Sequence, residues 1–165
     1  MIIKALKQML HGVVWAGVDT LVIDLPPGTG DVQLTLLQKI PLTSTVVVTT
    51  PQNVSVSDCK KGIEMIKRLS IPILGLIENM SWFQPIDSEK KYFLFGQDGG
   101  KDLAAEYKID LLAQLPLIEK EDKKELHELD EIKAYFEILT DKIIELIKEV
   151  RAKKVDSIPQ TNVTK

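Results

Sequence analysis

In 165 residues, 21 Lys and Arg stand against 24 Asp and Glu, a formal charge of −3 at pH 7. That balance gives no broad basic face for a phosphate backbone, which argues against nucleic acid as a main partner. The 44% hydrophobic content is too high for a disordered chain, and a single cysteine, Cys59, excludes a disulfide framework, a Cys-rich zinc site and a self-contained iron–sulfur ligand set.

The length suits one domain. No run approaches the roughly 18 uncharged apolar residues of a membrane span. Lys4, Lys7 and His11 interrupt the apolar N-terminus and no small-residue cleavage site follows, so a secretory signal is not expected. A reducing, cytoplasmic setting follows, with the mitochondrial matrix as the other candidate compartment.

Ile2, Ile3, Leu6, Met9 and Leu10 recur at helical intervals and predict a helix over residues 1–11. Thr20 to Leu25 is a short apolar run of the kind that forms a strand buried on both faces, halted by Pro26, Pro27, Gly28 and Gly30. Asp31 is placed to cap a helix through Leu34, Leu37 and Gln38. The β-branched run 44–50 predicts a second strand and 55–69 a helix with Ile63, Ile66 and Leu69 on one face. Residues 71–77 and 111–115 predict two more strands. Strands separated by helices point to parallel βαβ units.

Beyond residue 118 the composition turns to mixed charge. Leu129, Ile132, Phe136, Leu139, Ile143, Leu146 and Val150 step by three and four, an apolar stripe along one helix within 119–155 that is expected to pack on the preceding domain, 1–118. A partner-binding coiled coil would want more heptads. Residues 156–165 read as a flexible polar tail.

The segment Asp24-Leu-Pro-Pro-Gly-Thr-Gly-Asp31 is the richest in chemistry. An acid at the carboxyl end of a parallel strand lies where open α/β sheets bind ligands, and it can hold Mg²⁺ through water while a following glycine offers its N–H to a phosphate. The alternative is a tight strand-to-helix turn in which Asp24 is only a hydrogen-bond acceptor. The chain contains no Walker A loop: Pro-Pro-Gly-Thr-Gly continues into Asp31 where a lysine is needed, and Gly96 to Asp102 is one residue short of the pattern.

Seven short motifs in order then carry a resemblance: Asp24 to Asp31, Thr49-Thr-Pro-Gln52, Lys61-Gly-Ile-Glu-Met65, Ile73-Leu-Gly75, Glu78-Asn-Met-Ser81, Phe95-Gly96 with Gly99-Gly100, and Leu115-Pro-Leu117. Over residues 1–118 the chain resembles the carboxyl-terminal portion of the Mrp/ApbC family, nucleotide-binding iron–sulfur cluster carriers of the MinD/ParA superfamily. The resemblance implies an α/β fold, a partial doubly wound parallel sheet with flanking helices, P-loop NTPase-like but lacking the amino-terminal P-loop unit. It implies that Asp24 is the switch II acid positioning Mg²⁺ through water, that Gly28 senses the γ-phosphate, and that Asn79 reads the adenine edge with Pro116 lining the other side of the base. ATP with Mg²⁺ and a 4Fe–4S cluster are the family's cofactors, and iron–sulfur apo-proteins its partners. The other reading of Asn79 is a strand-end turn former.

The sequence departs from the family in two places. The glycine–lysine loop and switch I of the family's amino-terminal half have no counterpart in these residues, so ATP hydrolysis by this chain alone is expected to be very slow or absent. Family members place C-P-x-C after the Asn-Met-Ser motif; here Gln84 and Asp87 flank Pro85 and Ile86, and such hard donors suit iron–sulfur iron poorly, so no iron–sulfur ligand is expected. Cys59 lies in a helix across an intervening strand and reads as structural, and His11 and His127 as solvated. The reading is a truncated Mrp-type cluster carrier that pairs with a second copy or with a separately encoded P-loop half. The alternative is a non-catalytic dimerisation or scaffold module without nucleotide or cluster. Neither involves a membrane.

Overall fold

The computed structural model describes residues 8, 12–25, 30–85, 88–118 and 130–156. The expected helix over 1–11 and the tail beyond 156 fall almost wholly outside them. Four helices and three strands alternate: α1 (Asp31–Lys39), β1 (Thr45–Thr49), α2 (Asn53–Arg68), β2 (Ile73–Glu78), α3 (Gly99–Tyr107), β3 (Leu111–Gln114) and α4 (Asp130–Asp156). The sheet runs β1-β2-β3 and both pairings are parallel, with Thr49 beside Glu78 and Glu78 beside Gln114 at the carboxyl ends.

Helix α2 shows why the chain folds this way. Val56, Cys59, Ile63 and Ile66 fall three and four residues apart, so one stripe meets the sheet while Lys61, Glu64, Lys67 and Arg68 face water. Ile63 is fully buried, a side chain whose removal from water is worth roughly 1.5–3 kcal/mol. The helix closes with Ser70 in the left-handed region, φ 55°, while the Ile71 N–H reaches back to the Ile66 carbonyl at 3.3 Å. Helix α3 ends the same way: Lys108 has φ 54° and the Ile109 N–H reaches the Ala104 carbonyl at 3.0 Å. In each case the following isoleucine turns inward and packs on the core.

Alternation along the strands splits the core between two faces. On one face Val47 and Leu76 meet Ile63, Ile66, Leu103 and Ala104 of α2 and α3, with Leu37 of α1 joining them. On the other, Ile77, Leu112 and Leu115 meet Leu139 of α4, with Ile143 and Leu146 beside it. Three of the seven stripe residues therefore lie against the sheet. Phe136, from the same stripe, stays 52% exposed. Arg151, near the end of α4, donates to the Asp19 carbonyl at 3.0 Å and ties that helix to the residues before α1.

Two local expectations are corrected. Residues 20–25 are not a strand: no described strand lends them a ladder, Val22 is 87% exposed, and only Leu25 reaches the core. A run of β-branched residues becomes a strand only where a neighbouring backbone accepts and donates its hydrogen bonds, and β1, the sheet's edge toward that side, is unpaired by it. The cap of α1 is Gly30, with Asp31 the first helical residue. One element escaped the sequence reading, helix α3, whose Gly99-Gly100 start resembles a loop.

Candidate functional site

The carboxyl ends of the three strands gather the polar residues. Thr49, Glu78 and Ser81 are the buried polar side chains of the described core. Thr49 Oγ1 lies 3.0 Å from Ser55 Oγ, and Ser55 Oγ also accepts the Thr50 N–H at 3.1 Å, which fastens the start of α2 to the end of β1.

Glu78 holds the centre of this row. Its Oε2 accepts the Gly100 N–H at 2.5 Å and its Oε1 accepts from Gln114 Nε2 at 2.8 Å. Gly100 is the second residue of α3, so the carboxylate takes one of the helix's orphan N–H groups at the positive end of its dipole. The two glycines permit the approach. A Cβ on Gly100 would come 2.9 Å from Glu78 Oε2 and 3.0 Å from Thr49 Cγ2, and one on Gly99 would overlap the Pro51 carbonyl.

Directly above this row run the loops that leave β2 and β3. The Leu115 N–H donates to the Glu78 carbonyl at 2.8 Å, the Ser81 N–H to the Leu115 carbonyl at 2.9 Å, and the Leu117 N–H to the Trp82 carbonyl at 2.7 Å. The chain on either side of Asn79 is thus laced to the chain on either side of Pro116. The Asn79 N–H donates to the Thr49 carbonyl at 2.7 Å, and Asn79 Oδ1 accepts the Met80 N–H at 2.9 Å, Met80 itself lying in the left-handed region at φ 56°. One amide oxygen lone pair is spent on the turn.

The other residues singled out by sequence fall elsewhere. Asp24 is exposed on its irregular segment, and among the described residues no hydrogen bond or ion pair links it to Asn79 or Pro116. Gly28 lies outside the described residues, as do Asp87, His11 and His127. Gln84 is exposed, next to the antiparallel bridge between Phe83 and Tyr92. Cys59 Sγ donates to the Val48 carbonyl at 3.3 Å. Burial pushes its thiol above the ordinary value, a hydrogen bond to Thr49 pulls against that, and the Asp58 charge adds to the rise. Among the described residues there is no group of three or more His, Cys, Asp or Glu that could hold a metal ion.

A family model of NUBPL iron-transfer P-loop NTPases matches residues 1–152. The chain belongs to that family. An iron–sulfur cluster carrier protein of Haemophilus influenzae is 49% identical over 114 residues, covering 69% of this chain and 31% of that protein. One from Aquifex aeolicus is 45% identical over 129 residues, covering 76% and 35%. The mouse iron–sulfur cluster transfer protein NUBPL is 44% identical over 117 residues, covering 71% and 37%. Among solved structures, a nucleotide-binding protein from Archaeoglobus fulgidus in complex with ADP is 35% identical with a TM-score of 0.63, over 70% of this chain and 48% of that one. The chain therefore spans about a third of the length of the curated relatives named here. The Mrp/ApbC resemblance read from seven motifs is borne out, and so is the α/β, P-loop NTPase-like fold class.

Within this family the signal that sequence reading passed over is Glu78. A carboxylate closing an otherwise apolar strand, Ile73-Leu-Gly-Leu-Ile-Glu78, announces a buried acceptor in need of donors, and the Gly100 N–H and the Gln114 amide are those donors.

Proposed function

We propose that this chain forms the base-side wall of the nucleotide pocket of an Mrp-type iron–sulfur cluster carrier. Asn79 would hydrogen-bond the adenine edge and Pro116 would cover the opposite side. Asp24 would position Mg²⁺ through water and Gly28 would respond to the γ-phosphate. The observation that carries the reading is the lacing of the Asn79 and Pro116 loops through Glu78, Ser81, Leu115 and Leu117, which holds the two loops side by side at the carboxyl ends of parallel strands, where such sheets bind ligands. The ADP complex of the Archaeoglobus fulgidus protein, 35% identical in sequence, supports a nucleotide at this fold.

Asp24, Gly28, Asn79 and Pro116 would hold Mg-ATP, which would supply a γ-phosphate to which an interface switch could respond. The glycine–lysine loop that cradles it would come from a separately encoded half, and the uncharged β1 edge offers that partner a place to add a parallel strand. Iron–sulfur apo-proteins of the cytoplasm or mitochondrial matrix would then receive the cluster. Mg-ATP titrated into the chain alone and into the chain co-expressed with a P-loop half tests this. Weak binding alone, and ATP turnover restored by the partner and abolished by Asp24→Asn, is the expected result; no heat in either sample refutes it.

A scaffold role is the second reading, favoured by Gln84 and Asp87 at the two places where the family carries cysteines. Anaerobic reconstitution with iron and sulfide separates the two: a visible cluster band from the purified chain would defeat the scaffold reading.

A further inference from the structure

Glu78 is a costly residue for a core position. It is fully buried, and among the described residues no lysine, arginine or histidine pairs with it. An apolar side chain of like size would avoid the desolvation penalty, and such replacements are often neutral or stabilising when both partners change together. The carboxylate instead binds three segments at one point: the end of β2 that bears it, the first turn of α3 through Gly100, and the end of β3 through Gln114.

Its backbone extends the clamp. The Glu78 carbonyl accepts from both Leu115 N–H, 2.8 Å, and Ser81 Oγ, 2.9 Å. Asn79 is the next residue and Pro116 follows Leu115, so the two loops are each one residue removed from this point. A rotation of the Glu78 side chain would free the Gly100 N–H and the Gln114 amide together and loosen α3 and the Gln114 side chain at this point, while the Leu115 N–H keeps its backbone bond to the Glu78 carbonyl. We infer that Glu78 is a positioning residue that sets Asn79 against Pro116 and thereby fixes the choice of nucleobase; the inference rests on the nucleotide reading above. Glu78 does not touch the base. It decides the spacing of the groups that do.

The experiment is a titration of the purified chain with a fluorescent ADP analogue, competed by unlabelled ADP and by GDP, for wild type, Glu78→Ala, Glu78→Gln and Gln114→Leu, with circular dichroism as the check on folding. Wild type should prefer ADP over GDP. Glu78→Ala should lose about ten-fold in ADP affinity and most of that preference, because two buried donors lose their acceptor. Glu78→Gln should restore both, since an amide turned against a flipped Gln114 still accepts the Gly100 N–H. Gln114→Leu removes one side of the clamp from the partner residue and should blunt the preference with the fold intact; it decides the matter should Glu78→Ala unfold. Folded variants that keep the wild-type preference overturn the role of Glu78. A wild-type chain that binds neither nucleotide overturns the nucleotide reading itself.

Discussion

Glu78 and Gly100 meet at the carboxyl end of the sheet, the buried carboxylate accepting the backbone N–H of the second residue of α3 at 2.5 Å. The contact depends on what Gly100 lacks. Any side chain there would strike Glu78 and Thr49, whose backbones are held in adjacent registered strands and cannot easily retreat.

Gly100→Ala should therefore destabilise the protein by about 1–3 kcal/mol, the usual cost of forcing an extra methyl into a packed site. The helix propensity gained by alanine, about 1 kcal/mol at most, offsets only part of it. A fall in the urea midpoint with an unchanged slope is the expected measurement. A rise would mean that α3 shifts freely and that the Glu78 contact is not a fixed point.

The left-handed caps make the opposite forecast. Ser70 and Lys108 occupy the position where glycine carries no Cβ strain, at φ 55° and 54°. Ser70→Gly and Lys108→Gly should each stabilise by about 0.5–1 kcal/mol after the extra unfolded-state entropy of glycine is subtracted. Thermal unfolding of the single and double variants checks this, and the two increments should add because the caps end different helices.

These residues also mark what the sequence made legible. Patterns with a fixed period were: the stripe of α2, the β-branched run of β1 and the apolar runs of β2 and β3 all appear within two or three residues of where spacing puts them. The Thr20–Leu25 run is as apolar as a strand needs, yet a strand is a property of a pair and composition says nothing about whether the partner is present. Helix α3 was hidden because two glycines at its start read as a loop, when they are there for the backbone to approach Pro51 and Glu78. Asn79 and Pro116 were legible through motif resemblance, and the structure brings their loops together. The acid that joins those loops was not singled out, because Glu78 looks like one letter of a motif until its donors, 22 and 36 residues away, are seen beside it.

Cys59 offers a pH-dependent test. Burial holds its thiol above the ordinary value in the folded chain. A folded value above the unfolded one means that the stability contribution is complete below the unfolded value and is lost as pH rises through the folded one. Stability should therefore decline on the alkaline side for this group, and Cys59→Ala should remove that part of the decline. Iodoacetamide should modify Cys59 more slowly in the folded chain than in urea at the same pH, because only the thiolate attacks. Equal rates would show that the Val48 carbonyl contact does not shelter the sulfur.

The edge of the sheet gives the last forecast. β1 reads Thr-Val-Val-Val-Thr, carries no charge, and pairs on one side only among the described residues. Val48 stands 55% exposed beside its register partner Ile77, while Val46, two residues back on the same face, packs against the cluster of Ile77, Leu112, Leu115 and Leu139. Natural edges are protected by a lysine, a proline or a covering element, and an unprotected one recruits another strand. Val48→Lys should keep the monomer fold, since the position already faces solvent, and should lower self-association measured by sedimentation velocity. If a P-loop partner adds its strand at this edge, the same substitution should weaken that complex as well, while Val54→Lys, equally solvent-facing but on α2, should leave both unchanged. Loss of association with Val54→Lys and not with Val48→Lys would place the contact on the helical face and free β1 of any part in it.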